Sequence, residues 1–186
     1  VSGGSQGAVS INTAVDGARD AILAAGVQIL HVLGPKNFGD GDAVVRHASG
    51  ARYVPVAFVS DMAVAYAAAD LMLGRAGAGT VMETATVGLP VVFVPLPHGN
   101  GEQARNVSFL VEGGAGILVP NAEFDGPRLL AEVRPLVNDK LEALRRDKVI
   151  GKSVDAAITI SGSGEIMDIL KNIAPEWLAE LFIVSA

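Results

Sequence analysis

The chain has 186 residues, half of them apolar, a formal net charge of −6 and no cysteine. The length suits one domain with a sizeable core, and the negative charge argues against a nucleic-acid footprint or an anionic membrane surface. Disulfides and thiolate metal sites are excluded, and no apolar run reaches the ~20 residues of a membrane span. We therefore expect a soluble cytoplasmic protein without metal, cofactor or nucleic-acid partner.

The first elements read as turn, helix, strand, loop and strand. The glycine-rich turn SGGSQGA precedes a helix that ends near Gly26 and repeats its apolar residues about once per turn. Those apolar residues are Ile11, Val15, Ala18 and Ile22. VQILHVLG predicts a buried strand, PKNFGDGDAVVRHASG a loop with room for one short helix, and ARYVPVAFV another strand. Because Val1 lies in what reads as the end of a strand, we also expect a fragment of a longer protein.

The next elements alternate in the same way. SDMAVAYAAAD predicts a short helix with Ser60 as a candidate N-cap, and DLMLG predicts a short buried strand. GTVMETATVG predicts a helix that ends at Gly88, just before Pro90. VVFVP reads as a strand, EQARNVSFLVEGG as one helix and GILVP as a further strand.

This alternation predicts an α/β fold with a parallel sheet and helices on both faces. The strands are continuously apolar, as expected when a sheet is covered on both sides. Such sheets bind ligands outside the carboxyl ends of their strands, where the glycine-rich loops lie. From residue 134 the sequence becomes highly charged and helical, then reads as strand, turn, helix and strand. We expect one domain over residues 1–133 and a helical linker with a small α/β tail over residues 134–186.

Three loops carry residues suited to ligand chemistry, and each has a plain structural alternative. In SGGSQGA, glycine amides ahead of a helix suit a phosphate or pyrophosphate, and a tight turn without ligand is equally consistent. In RAGAGT and the helix after it, Glu83 could complete a capping box with Thr80 or accept hydrogen bonds from a ribose diol. The spacing alone favours the cap about two to one.

The third loop, PLPHGNGEQARN, precedes a helix and contains two polar candidates. Gln103 offers an amide donor and acceptor suited to sugar hydroxyls, or it is an ordinary helix start. His98 could act as a general base, but the sequence supplies no orienting partner, so we expect a loop residue. No catalytic residue is predicted.

Taken in order, GGSQGA and the stretch from Phe58 to Val119 resemble the C-terminal half of the MurG family of peptidoglycan glycosyltransferases. The resemblance covers about residues 1–130. It implies one Rossmann-like half of a GT-B enzyme that binds UDP-GlcNAc and transfers GlcNAc to lipid I. It also implies an acceptor-binding N-terminal half as partner, and a whole enzyme peripheral at the inner face of the bacterial cell membrane.

The resemblance further implies ligand contacts for individual residues. Those facing the diphosphate would be Gly3, Gly4, Ser5, Gln6, Ala78, Gly79 and Thr80. Phe58 and Val59 would border the uracil, Glu83 would hold the ribose hydroxyls and Gln103 would contact the hexose. No metal is implied, because helix ends and neutral donors would neutralise the pyrophosphate.

Two departures from the family pattern affect this site. Glu102, on the sugar side, stands where many relatives have Gln, which leaves the sugar preference open. Gly79 stands where a larger apolar residue is frequent, which would loosen the contact with the ligand.

The tail has a different resemblance. LVNDKLEALRRDKVIGKSVDAAITI and LAELFIVSA resemble the C-terminal region of bacterial isoleucyl-tRNA synthetase, over about residues 134–186. The chain is therefore expected to be a chimera of two families. Two alternatives to a glycosyltransferase half stay open: a non-catalytic UDP-sugar-binding module, and an appendage derived from a tRNA synthetase.

Overall fold

The computed structural model describes residues 1–98 and 100–146. The chain forms two compact units, Val1–Arg134 and Pro135–Ala186, and the elements that bear on function belong to the first. The predicted small α/β tail and its resemblance to a synthetase lie mostly outside the described residues.

Strands and helices alternate along the described chain. The strands are β1 Ile29–Val32, β2 Val45–Arg46, β3 Arg52–Val56, β4 Met72–Gly74, β5 Val91–Phe93 and β6 Gly116–Leu118. The helices are α1 Val9–Ala24, α2 Met62–Ala67, α3 Ala78–Val87, α4 Glu102–Asn106, α5 Ser108–Glu112 and α6 Gly126–Arg146, with a 3-10 turn at Asn121–Glu123.

The strands form two groups, β2-β3-β1 and β4-β5-β6, and Ser2 joins them. Ser2 makes parallel bridges to Val32 on one side and to Gly74 on the other. β1 pairs in parallel with β3, and β4, β5 and β6 pair in parallel in that order. The chain thus winds outward from Ser2 in one direction and then in the other, which makes Ser2 the topological switch point of a doubly wound sheet.

Helix α1 and helix α3 follow the sequence pattern closely. The four apolar residues predicted to face the core in α1 are all buried. α1 ends at Ala24, and Gly26 takes the left-handed φ of 80° that a glycine tolerates just past a helix end. α3 ends at Gly88, whose φ is 68°, as predicted. The prediction of an α/β fold with a parallel sheet is confirmed.

Three local predictions are wrong. The segment between β1 and β3 contains no helix and instead supplies β2, which pairs antiparallel with β3. The helix predicted from Glu102 is broken at Val107, where the backbone (φ −101°, ψ −5°) separates α4 from α5. The N-cap of α2 is Asp61 rather than Ser60, because the Asp61 carboxylate accepts from the backbone N–H groups of Ala63 and Val64.

Candidate functional site

The glycine-rich loop begins at the switch point. It leaves Ser2, includes Gly3, Gly4, Ser5 and Gln6, and leads into α1. Ser5 and Gln6 are exposed, and the first turn of α1 has no side-chain cap, so its N–H groups keep their capacity to bind an anion.

Glycine is required at Gly3 and at Gly4 for two different structural reasons. A Cβ on Gly3 would lie 2.2 Å from the Ala8 nitrogen, so the loop's own packing requires glycine there. Gly4 has a φ of 87° and open space around it, so its glycine is required by backbone conformation and leaves a gap over the loop. The tight-turn explanation therefore accounts for Gly3, while Gly4, Ser5 and Gln6 border open solvent.

The second loop leaves β4, the strand that lies beside Ser2, and leads into α3. Ala78 and Gly79 are exposed and Thr80 is half-buried, all three in the first turn of α3. The N-cap, Gly77, offers no side-chain hydrogen bond, so the N-terminal amides of α3 are not capped from within the loop. A Cβ on Gly79 would meet nothing within 4 Å, so the structure leaves room for a larger residue at this position.

Glu83 is not a helix cap. A capping box needs Thr80 as the N-cap, but α3 begins two residues earlier, at Ala78, and has no side-chain cap. Glu83 therefore lies in the second turn, where its exposed side chain accepts a hydrogen bond of 2.9 Å from the Tyr66 hydroxyl. The capping box favoured by the sequence spacing is therefore wrong. The Glu83 carboxylate can still accept further hydrogen bonds besides the one from Tyr66.

The third loop follows β5 and is anchored by Gln103. The Leu96 backbone N–H donates to Gln103 Oε1 at 3.0 Å. Since the amide oxygen is thereby assigned, the Nε2 amino group is the part of Gln103 available to a ligand, as a donor. The adjacent Glu102 is the first residue of α4, and its side chain is exposed. His98, earlier in the loop, is also exposed.

Residues 58 and 59 lie between β3 and α2. Phe58 is 58 % exposed although it is aromatic, and Val59 is half-buried. An exposed aromatic ring beside a carboxyl end of the sheet is a surface on which a planar base can stack. The structure therefore leaves the two residues predicted to border the uracil accessible.

Arg75, for which no role is predicted from the sequence, connects several parts of this edge. Its Nη1 donates to the carbonyl oxygens of Val94 and Pro95 and to Asn121 Oδ1, at 2.8–3.0 Å. Its Nη2 donates to Ser10 Oγ in the first turn of α1, at 2.9 Å. Burial lowers the pKa of this guanidinium, which still stays protonated at neutral pH. One cation thus joins the loop after β4 to the start of the loop after β5, to the 3-10 turn and to the first turn of α1, the helix that follows the glycine-rich loop.

A further contact joins the second and third loops: Asn106 Nδ2 donates to the Ala76 carbonyl at 3.3 Å. The predicted residues on these loops therefore belong to one edge of the sheet. In the described part of the chain no group of three or more His, Asp or Glu side chains is placed to hold a metal ion. Within the same residues, no helix is long and apolar enough to cross a membrane.

These features define a doubly wound α/β domain. The edge at the carboxyl ends of its strands carries uncapped helix N-termini, glycine-rich loops and a few neutral donors, a combination suited to an anionic ligand. The sequence model of the glycosyltransferase family 28 C-terminal domain matches residues 1–160. The chain belongs to this family. The family match extends past residue 134, where the resemblance to a synthetase was placed.

The named relatives agree with this assignment. The chain is 64 % identical over 132 residues to the UDP-N-acetylglucosamine–N-acetylmuramyl-(pentapeptide) pyrophosphoryl-undecaprenol N-acetylglucosamine transferase of Cutibacterium acnes, covering 71 % of the chain and 36 % of the relative. It is 46 % identical over 167 residues to the Corynebacterium efficiens protein of the same name, covering 87 % and 44 %.

A solved structure is also similar. The crystal structure of Acinetobacter baumannii MurG superposes with a TM-score of 0.62 at 32 % identity, over 75 % of the chain and 40 % of that protein. The chain therefore spans less than half the length of these relatives. This structural similarity supports the prediction that the matched part of the chain has the architecture of one half of a GT-B enzyme.

Proposed function

We propose that the first unit of this chain is the UDP-GlcNAc-binding half of a hexosyltransferase that transfers GlcNAc to lipid I in peptidoglycan synthesis. The observation that carries the proposal is that three loops lie at one edge of the sheet, at the switch point. Two of them lead from the neighbouring strand positions Ser2 and Gly74 to the uncapped N-termini of α1 and α3. Helix N-termini attract anions, so together they suit a diphosphate without a metal ion.

Each of the remaining site residues would contact a different part of the UDP-GlcNAc molecule. Ser5, Gln6 and Thr80 supply neutral donors toward the diphosphate, and Phe58 and Val59 offer an apolar surface to the uracil. Glu83 accepts hydrogen bonds from the ribose, and Gln103 donates from Nε2 to the hexose. Glu102 borders the sugar and leaves the choice of hexose open.

In the proposed reaction, the acceptor hydroxyl oxygen bonds to the anomeric carbon while the bond from that carbon to the diphosphate oxygen breaks. UDP leaves with the electron pair, the anomeric configuration inverts, and the hydroxyl proton passes to a base. The share of this chain is to orient the donor and to stabilise charge on the departing diphosphate. The acceptor-binding N-terminal half is its proposed partner, with the whole enzyme peripheral at the inner face of the bacterial cell membrane.

The decisive test is a calorimetric titration of the chain with UDP-GlcNAc, with UDP and GDP in parallel. We expect saturable one-to-one binding of both uridine nucleotides and much weaker binding of GDP. Equal affinity for GDP, or no saturable binding of UDP-GlcNAc, would contradict the proposal.

The resemblance of residues 134–186 to a tRNA synthetase stays a prediction. If the chain still folds when these residues are removed, its affinity for UDP should be unchanged.

Glu83→Ala should weaken UDP binding by about 1–3 kcal/mol, the scale of hydrogen bonds to a charged group. This corresponds to roughly a fivefold to 150-fold increase in Kd. The melting temperature without ligand should fall only modestly, because Glu83 is exposed and caps nothing, and its loss removes a single acceptor, that of the Tyr66 hydroxyl. Calorimetry and thermal unfolding measure the two quantities, and a large loss of stability at unchanged affinity would assign Glu83 a purely structural role.

Gln103→Ala should weaken UDP-GlcNAc by about 1 kcal/mol more than UDP, because only the sugar loses a hydrogen-bond donor. Gln103→Glu is the matched variant, since its carboxylate still accepts from the Leu96 N–H while offering no donor. Its added charge acts on the diphosphate of both ligands, so the ratio of the two affinities isolates the sugar contact. An unchanged ratio in both variants would assign Gln103 to anchoring the loop alone.

A further inference from the structure

Tyr66 holds the carboxylate to which the proposed function assigns the ribose. Tyr66 lies on α2 and is only 6 % exposed, while Glu83 lies on α3, 17 residues away in sequence, with its side chain at the surface. The Tyr66 hydroxyl donates to Glu83 Oε2 at 2.9 Å. This bond crosses from a packed core side chain to an exposed acid at the ligand edge.

The chemistry of the pair fixes the direction of the bond. Burial, followed by the hydrogen bond to Glu83 and the negative charge of that carboxylate, together raise the pKa of the Tyr66 hydroxyl to about 12. The hydroxyl is therefore protonated at every physiological pH and acts as donor. One carboxylate oxygen is engaged by this bond, and the other remains free to accept from vicinal hydroxyls.

An exposed glutamate samples several rotamers, and binding a ribose diol requires one of them. Tyr66 is held in place because the core packs around it, together with Met72, Val81 and Phe93. A side chain locked in this way restricts the glutamate before the ligand arrives, so less conformational freedom is lost on binding.

We propose that Tyr66 is a positioning residue that orients Glu83 for the ribose hydroxyls and so sets the preference for ribonucleotides over deoxyribonucleotides. The inference rests on the proposed function, since it takes UDP as the ligand. It adds to that function a residue that does not touch the ligand, and a selectivity that follows from it.

The test compares the affinities of UDP and 2′,3′-dideoxy-UDP by calorimetry. Tyr66→Phe removes one oxygen and keeps the ring, so it should weaken UDP about three- to tenfold and leave the dideoxy nucleotide unchanged. In Glu83→Ala both nucleotides should bind alike, and adding Tyr66→Phe to Glu83→Ala should cause no further loss. The control is Tyr53→Phe, which removes the other buried tyrosine hydroxyl of the chain, bonded to His31, and should keep the wild-type ratio.

The possible failures are distinguishable. If the unaltered chain does not bind UDP, or if Glu83→Ala keeps the wild-type preference for UDP, the proposed function fails and the inference falls with it. If the unaltered chain and Glu83→Ala behave as expected but Tyr66→Phe keeps the wild-type ratio, the inference alone is overturned. Equal weakening of both nucleotides by Tyr66→Phe also overturns it, because a role in packing does not distinguish ribose from dideoxyribose.

Discussion

Lowering the pH from about 6.5 to about 4 should cost the folded state about 3 kcal/mol through His31 alone. His31 lies on β1, is 1 % exposed, and has both ring nitrogens occupied. Nδ1 lies 3.0 Å from the Tyr53 hydroxyl and Nε2 lies 3.1 Å from Asn12 Oδ1. Burial lowers the pKa of His31 from 6.5 to about 4, because the charged imidazolium would lose its hydration.

The hydrogen bonds identify the neutral form of the ring. Asn12 Nδ2 donates to the Leu33 carbonyl, which leaves Asn12 Oδ1 as an acceptor. Nε2 of His31 therefore carries the proton, and Nδ1 accepts from the Tyr53 hydroxyl. Protonation would add a second N–H facing that hydroxyl, so the Tyr53 hydroxyl hydrogen would have to rotate away and would lose its acceptor.

The sign of the effect follows from the lowered pKa. The unfolded chain binds a proton at His31 near pH 6.5, whereas the folded chain binds it only near pH 4. The contribution of neutral His31 to the free energy of unfolding is therefore fully present above about pH 6.5. It decreases as the pH falls from about 6.5 to about 4, and it is lost completely below about pH 4.

Urea unfolding at several pH values between 4 and 7 measures this loss when the chain is compared with His31→Gln. The variant stays neutral and can still form hydrogen bonds at the site. Acidic side chains destabilise both proteins alike, so the difference between the two curves isolates His31. Parallel curves across this range would show that His31 titrates equally in the folded and unfolded chain.

The sequence predicted those elements whose pattern depends on local chemistry. The buried face of α1 follows from apolar residues one turn apart, and the end of α3 follows from a glycine that adopts a positive φ at Gly88. β2 was missed because its two residues are exposed and carry no alternation; antiparallel pairing with β3 alone defines it. The break at Val107 also escapes the pattern, because the sequence there remains favourable for a continuous helix.

The site shows the same limit of local reasoning. Which loops carry polar residues is visible in the sequence, but whether Glu83 caps α3 depends on where that helix begins, and α3 starts at Ala78. The partner of Glu83, Tyr66, and the several partners of Arg75 are distant in sequence. No periodicity or spacing encodes such contacts, since they arise only when the strands have taken their order in the sheet.

Arg75→Ala should lower the free energy of unfolding by roughly 2–4 kcal/mol, the loss of at least two hydrogen bonds from a charged donor. It should also weaken UDP binding, although Arg75 is assigned no contact with the ligand. The Val94 and Pro95 carbonyls, Asn121 and Ser10 would each lose a donor. These groups belong to the loop after β5, the 3-10 turn and α1, so the guanidinium would no longer tie them to the loop after β4.

Two further substitutions separate geometry from charge. Arg75→Lys keeps the positive charge but replaces the planar fork by a single ammonium group, which cannot reach the carbonyls and Ser10 together. It should recover only part of the stability and part of the affinity. Arg19→Ala is the control: Arg19 pairs with the exposed Asp16 at 2.9 Å and lies 5.3 Å over the Tyr53 ring, contacts worth about 1 kcal/mol or less each, so its loss should cost clearly less than the loss of Arg75.

Denaturant unfolding and UDP titration on the same four proteins decide what Arg75 does. We expect stability and affinity to fall in the order unaltered chain, Arg75→Lys, Arg75→Ala, with Arg19→Ala close to the unaltered chain. The affinity is measured where each variant is fully folded, so that a loss of folded protein is not counted as a loss of binding. If Arg75→Ala binds UDP as tightly as the unaltered chain while losing stability, the loops keep their ligand geometry without the guanidinium. If Arg75→Lys restores affinity completely, the positive charge rather than the fork serves the diphosphate, because lysine keeps the charge but lacks the planar fork.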